Sequence, residues 1–180
     1  RVPGDVTPGP SWPDAVFPDI TDLAVESDGT AAYLKFQVPP IDGKITDVRL
    51  VMHTPPESSA EGDGGDVYAV SDSSWSEATL TWDARPPYAG ASFGRIGPAT
   101  SDQTVTLDLD GAVTGPGTYS FAVVSPPSDG NGTHFYSKEG SASAAPSLKI
   151  SFSVVDGDGD GVPDGPDCND ANAAVNPGAS

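Results

Sequence analysis

Cysteine occurs once in these 180 residues, at Cys168, so no disulfide can close within the chain and the fold must hold by packing alone. Such low cysteine usage suits a bacterial exported protein. Basic residues are also scarce. Eight Lys and Arg stand against 26 Asp and Glu, a formal net charge of −18, and phosphate would be repelled, which excludes nucleic acid as a partner. No window holds apolar residues at i, i+3, i+4 and i+7 over three turns, so almost no helix is expected. No apolar run is long enough to cross a bilayer, which excludes insertion as a helix. A secretory leader is missing too; Arg1 opens into a Pro/Gly segment, as in a processed mature protein, and the expected location is secreted or cell-surface. Neither a GxSxG elbow nor an HExxH helix occurs, so the expectation is a chain without catalysis.

What the sequence does have is 21 Gly and 19 Pro, falling between short apolar runs. That spacing breaks helices and suits a turn-rich all-β fold. Ala31–Pro39 alternates, with Leu34, Phe36 and Val38 inward and Tyr33, Lys35 and Gln37 outward. Ile45–His53 repeats the pattern with Val48, Leu50 and Met52 inward, and the two runs read as a hairpin. Further strands are expected at Asp66–Ser71, Gln103–Leu109, around Tyr119, Phe121 and Val123, at Thr133–Lys138, and around Leu148, Ile150 and Phe152. About eight strands at this spacing predict a jelly-roll-like β-sandwich over residues 15–154, behind an extended Pro-rich lead-in over 1–14.

Residues 156–167 read DGDGDGVPDGPD. Asp156, Asp158 and Asp160 occupy positions one, three and five of a twelve-residue calcium loop, and Gly161 stands at the turn position. Val162 offers its carbonyl at seven, Asp164 sits at nine and Asp167 at twelve. Hard oxygen ligands at these intervals let one short segment wrap an ion of calcium's size, so Ca2+ is the expected cofactor. Pro163, Gly165 and Pro166 rule out flanking helices. Residues 155–180 are thus expected to be an irregular calcium-binding tail. It carries six Asp and no Lys or Arg, leaving the body acidic in its own right.

Two family resemblances follow. The runs AYLKFQVPP, KITDVRLVM, WSEATLTWDARP, YSFAV, FYSKEG and PSLKI, in that order from Ala31 to Phe152, resemble the DNRLRE-type β-sandwich family. The resemblance implies a non-catalytic module on an exported bacterial protein, binding carbohydrate, with acidic polysaccharide such as alginate as the model ligand. The tail resembles a thrombospondin type 3 repeat, which implies a second calcium site beginning at Asp167 with Asn169, Asp170 and Asn172. Cysteines in such repeats often pair; Cys168 is either a free buried thiol, a partner for another chain, or the remnant of a shortened array.

Alternation places Tyr33, Lys35, Gln37, Arg49, His53, His134, Tyr136 and Lys138 on the non-core faces of their strands. On neighbouring strands they would form one basic, aromatic surface. Rings stack on sugar faces, and Arg and Lys pair with uronate carboxylates. The plainer alternative is a solvated strand face carrying residues of high β propensity. Trp75 and Trp82 are candidate sugar-stacking platforms, with core packing the stronger expectation for Trp82 at least, and Glu139, beside a Gly turn, is a weaker candidate for holding a structural cation at the rim. The competing reading is a structural subunit of a fibre, matrix or adhesin. There the terminal segments, Val16–Val25 among them, would pair with neighbouring copies, with calcium joining like-charged chains.

Overall fold

The computed structural model describes residues 4–56, 62–125, 132–162 and 169–177, and these contain strands and no helix. In chain order the strands are β1 (Gly4–Val6), β2 (Asp22–Val25), β3 (Ala31–Val38), β4 (Lys44–His53), β5 (Gly62–Asp63) and β6 (Asp66–Val70). After them come β7 (Tyr88–Arg95), β8 (Pro98–Ala99), β9 (Thr104–Asp108), β10 (Gly117–Val124), β11 (Thr133–Tyr136) and β12 (Ser147–Ser153).

All pairings are antiparallel. A five-stranded sheet runs β1-β3-β10-β6-β7, a three-stranded sheet runs β12-β4-β9, and β11-β2 and β5-β8 form two short ladders. The expected all-β sandwich is what the chain forms. The main core lies between the layers. Leu34, Phe36, Phe121, Val123 and Val67 come from the five-stranded sheet, Val48, Leu50, Met52 and Val105 from the three-stranded one, and Leu23, Val25 and Phe135 from the β11-β2 ladder. These are the inward residues that a period of two selects.

Two features depart from the sequence expectation. β3 and β4 are not a hairpin: β3 pairs with β1 and β10, whereas β4 lies in the other layer between β12 and β9. The connection crosses from one sheet to the other, so their outward residues face away from each other. The outer face of the five-stranded sheet is also not solvated along its length. Val6, Ala31, Tyr33, Val70, Trp75, Leu80 and Ala122 form a second buried cluster there. Trp75 and Leu80 belong to the irregular segment between β6 and β7, which folds back as a roof. Trp75 donates from Nε1 to Ser120 Oγ at 3.2 Å and meets Tyr33 edge-on, ring centroids 6.1 Å apart. Apolar residues on both faces of β3 follow from this roof, because a strand covered on both sides gains from burying both.

Both N-terminal strands pair within the chain, β1 on the edge of β3 and β2 on β11. At Gly65, φ is +86° and a Cβ would lie 2.8 Å from the carbonyl oxygen of Val124, so the entry to β6 requires glycine.

Candidate functional site

The eight outward residues named from the sequence do not share a surface. Tyr33 is fully buried beneath the roof. Its hydroxyl donates to the Pro86 carbonyl at 2.9 Å, and burial pushes the phenol up to about 12, with Arg85 pulling the other way. Lys35 lies under the same roof, its ammonium 4.4 Å from the Trp75 ring centroid and bonded to the Trp75 carbonyl. Burial lowers its pKa, opposed by Asp72 and Glu77. Gln37 is exposed at the end of β3 and accepts from Thr118 Oγ1 at 2.8 Å.

Arg49 and His53 point outward from the other layer. Arg49 bridges Asp47 and Asp108, each at 3.1 Å, and His53 Nδ1 shares a hydrogen bond with Thr104 Oγ1 at 2.9 Å. His134 and Tyr136 lie on β11, where His134 Nε2 is 2.9 Å from Glu26 Oε1.

Lys138 is ruled out as a free cation by three carboxylates. Its ammonium is 2.5 Å from Glu139, 2.6 Å from Glu77 and 3.4 Å from Asp5. Asp5, on β1, is completely enclosed and also accepts from the Lys138 backbone N–H at 2.9 Å. Burial raises the Asp5 carboxyl from 3.8 to about 6, because enclosure disfavours its charge more than Lys138 restores it. Burial alone would lower Lys138; the hydrogen bonds to Glu139 and Glu77 outweigh it and raise Lys138 well above the ordinary lysine value. Carboxylate oxygens of Asp5, Glu77 and Glu139 lie within 4.8 Å of one another. The lysine ammonium already occupies the position considered for a rim cation beside Glu139.

The residues that do converge come from where the roof rejoins the sheet. Trp82, Arg85, Tyr88 and Tyr68, with Ser27, Asp28, Gly29, Asp66, Val124 and Ser125, line a cleft of about 560 Å³. A second hollow of about 430 Å³ shares Arg85 and Tyr88. Tyr68 points outward because Val67 faces the core, and it packs on Tyr88 with centroids 5.0 Å apart. Arg85 lays its guanidinium over the Trp82 ring, 3.3 Å from the centroid, and bonds the Trp82 carbonyl. Gly29, at φ +104°, lets the Trp82 ring approach to 3.3 Å of where a Cβ would stand.

Charge singles out Arg85. Arg49 holds Asp47 and Asp108, and Arg95 holds Asp63 and Asp66. Arg85 is the one described arginine with no carboxylate at ion-pair distance. On a chain of net charge −18 a guanidinium held flat and left without a carboxylate keeps its charge available for an anion. Sequence reasoning favoured core packing for Trp82 above all; the structure instead buries Trp75 and leaves Trp82 partly exposed in the cleft lining, because the roof fastens at Trp75 and Leu80 and the chain rises again by Trp82. Sequence reasoning also missed Arg85, on irregular chain, and Tyr88, the first residue of β7, because Pro86-Pro87 between them interrupts any periodicity that would mark a face.

In the tail, Asp156, Asp158 and Asp160 bring carboxylate oxygens within 4.8 Å of one another. Gly159 and Gly161 N–H groups donate to Asp156 at 2.7 and 2.9 Å, and Val162 N–H donates to Asp160 at 2.8 Å. The segment is therefore wound tightly, and three hard oxygen donors converging in it fit a calcium-type ion. Asp164 and Asp167, with Cys168, lie outside the described residues. Asn169 and Asn172 cap local turns, accepting from Ala171 and Ala174, and Asp170 is exposed. Asn176 donates to Asp160 at 2.6 Å, folding the end of the chain back on the loop.

A two-layer sandwich with an open cleft lined by aromatic rings has the geometry to present ring faces to a sugar. The comparisons agree. The model of carbohydrate-binding module family 96 matches residues 9–152, and the chain belongs to that family. The match covers the sandwich from β2 to β12, leaves out the short edge strand β1, and stops before the acidic tail. No curated protein matches the chain.

Proposed function

We propose that the module binds an acidic polysaccharide through the cleft of Trp82, Arg85, Tyr88 and Tyr68, outside the cell or at its surface, and that its tail holds calcium. The carrying observation is the Arg85 guanidinium, oriented by Trp82 and free of any carboxylate among the described residues. Tyr88, exposed by 37%, supplies a ring face for a pyranose, and Arg85 pairs bidentately with a uronate carboxylate. Asp28 and Ser27 at the rim accept and donate to hydroxyls. An acidic protein gains no long-range attraction for an anionic chain, so binding depends on these short-range contacts and not on a diffuse field.

Calcium enters through Asp156, Asp158 and Asp160, completed by the Val162 carbonyl and, in the twelve-residue pattern, Asp164 and Asp167. Asn169, Asp170 and Asn172 would serve the second site that the repeat pattern implies. When bound, the ion supplies positive charge that offsets part of the tail's own repulsion. The competing structural-subunit reading needs β1 or β2 on a neighbouring copy, and both pair within this chain.

Affinity electrophoresis in gels containing polyuronate or neutral glucan tests the glycan reading. Polyuronate should retard the protein, and Arg85→Ala should weaken that binding about tenfold or more, the worth of one charge-assisted contact. Equal retardation by neutral glucan, or an unchanged Arg85→Ala variant, overturns it.

A further inference from the structure

The FYSKEG run carries the chain out of β11 into an excursion over residues 137–146, which rejoins the three-stranded sheet at Ser147, the first residue of β12. Ser147 stands opposite Val51. Val51 alternates outward between Leu50 and Met52 of the core, yet it is only 2% exposed. The outer face is therefore covered at this point. Beside the cover, His53, Glu139, Ser143, Ser147, Ala145 and Pro146 line a hollow of about 380 Å³. Pro146 is buried, and with Ala145 it gives the hollow an apolar wall.

The lining is fixed before any ligand arrives. Ser137 Oγ donates to the Ile20 carbonyl at 2.5 Å and accepts from the Glu139 and Gly140 N–H groups at 3.2 and 3.0 Å. The Lys138 ammonium holds the Glu139 carboxylate. On β4, Thr104 Oγ1 holds the His53 ring through Nδ1. His53 Nε2 and Ser147 Oγ have no partner among the described residues and are open to a ligand's hydroxyls. Charge then decides the class of ligand. Lys138 is the one lysine or arginine in the lining, and Asp5, Glu77 and Glu139 already surround it. A uronate finds no spare cation here and meets carboxylates instead. An uncharged pyranose, with hydroxyls around its rim and C–H groups on its faces, matches a hydrogen-bonding edge beside an apolar wall. The volume is near the lower end of the range for ligand pockets, about 300–1,000 Å³, so one ring fits and a laid-out chain does not.

We infer that the hollow between the 137–146 excursion and the end of β4 is a site for one uncharged pyranose unit, with His53 Nε2, Ser147 Oγ and the Glu139 carboxylate bonding its hydroxyls and Ala145 and Pro146 packing on a C–H face. The site shares no residue with the Arg85 cleft and does not depend on that reading. It takes a free sugar or the end of a chain. A long neutral polymer is poor in ends, so this hollow adds little retardation in a glucan gel.

Amide NMR titration of the full chain tests this, with the methyl glycosides of glucose, galactose and mannose, and with that of glucuronic acid as the charged comparison. At least one neutral glycoside should shift the amides of His53 and of residues 138–147 saturably in the millimolar range, and the glucuronic acid glycoside should not. His53→Ala and Ser147→Ala should each weaken that binding about fivefold, the worth of one hydrogen bond. Ala142→Trp, at an exposed position of the lining, should fill the hollow and abolish binding while the thermal melt stays unchanged. Arg85→Ala should alter none of this, so failure of the cleft and failure of the hollow are told apart. The inference is overturned if no neutral glycoside moves these amides, if the charged glycoside binds as tightly as the neutral one, or if Ala142→Trp binds like wild type.

Discussion

Asp5→Asn probes the most unusual electrostatic feature of the sandwich. Asp5 is completely enclosed and its carboxyl is raised from 3.8 to about 6. A carboxyl with a folded-state pKa above its unfolded one binds its proton more tightly when folded. Its contribution to stability is therefore fully present below about 4 and is lost as pH rises through about 6. That rise is worth about 3 kcal/mol, since each tenfold change in proton affinity corresponds to about 1.36 kcal/mol. Asparagine has the shape of the protonated acid and its carbonyl can still accept from the Lys138 N–H, while Lys138 keeps Glu77 and Glu139. Wild type and Asp5→Asn should therefore be similarly stable at pH 4, with the variant gaining by up to about 3 kcal/mol at pH 7. For a chain of this size that is a relative Tm shift of roughly 6–12 °C. Paired thermal melts by circular dichroism at half-unit pH steps read it, and the difference between the two proteins cancels the other carboxylates. A difference that stays constant from pH 4 to pH 7, or a variant that loses stability as pH rises, refutes the reasoning.

Trp75→Ala should cost about 3–5 kcal/mol, since it empties the roof over Tyr33, and urea unfolding measures it. Trp82→Ala should leave stability within about 1 kcal/mol yet lower polyuronate binding by an amount affinity electrophoresis can read, because a half-exposed ring contributes more to a ligand than to the core. Asp158→Ala with Asp160→Ala should abolish calcium uptake in calorimetry and leave the sandwich melt unchanged; unaltered calcium affinity removes the tail from consideration.

The inward residues of β3, β4, β10 and β11 were legible because a sheet with one buried face writes its core at every second position. The same rule misled on the other face. It assigned Tyr33 and Lys35 to solvent, since nothing local announces that Trp75 and Leu80 will return some forty residues later to cover them. β7 escaped notice for another reason: YAGASFGR is too rich in small residues to alternate visibly, and its place is set by pairing with β6. β1, three residues long, is held by the enclosed Asp5 and its long-range bond to Lys138. The aromatic and basic residues named from the sequence fall on different layers, with Tyr33 and Lys35 under the roof and Arg49 on the opposite sheet, so alternation alone did not bring them together. Arg85 and Tyr88 acquire meaning only through what they lie beside: the Trp82 ring beneath one and the Tyr68 ring beside the other.

The roof between β6 and β7 divides one short segment into two kinds of position. Trp75, Leu80 and the Pro86 carbonyl are fastened to the sheet below, while Trp82, Arg85 and Tyr88 rise above it. On the function proposed above, exchanges among the upper residues would alter the sugar-facing surface while Trp75 and Leu80 stay buried below it. A module built in this way is free to drift in ligand choice while its frame stays fixed, and sequence variation concentrated at positions 82, 85 and 88 over constant residues at 33, 75 and 80 would be the mark of that history.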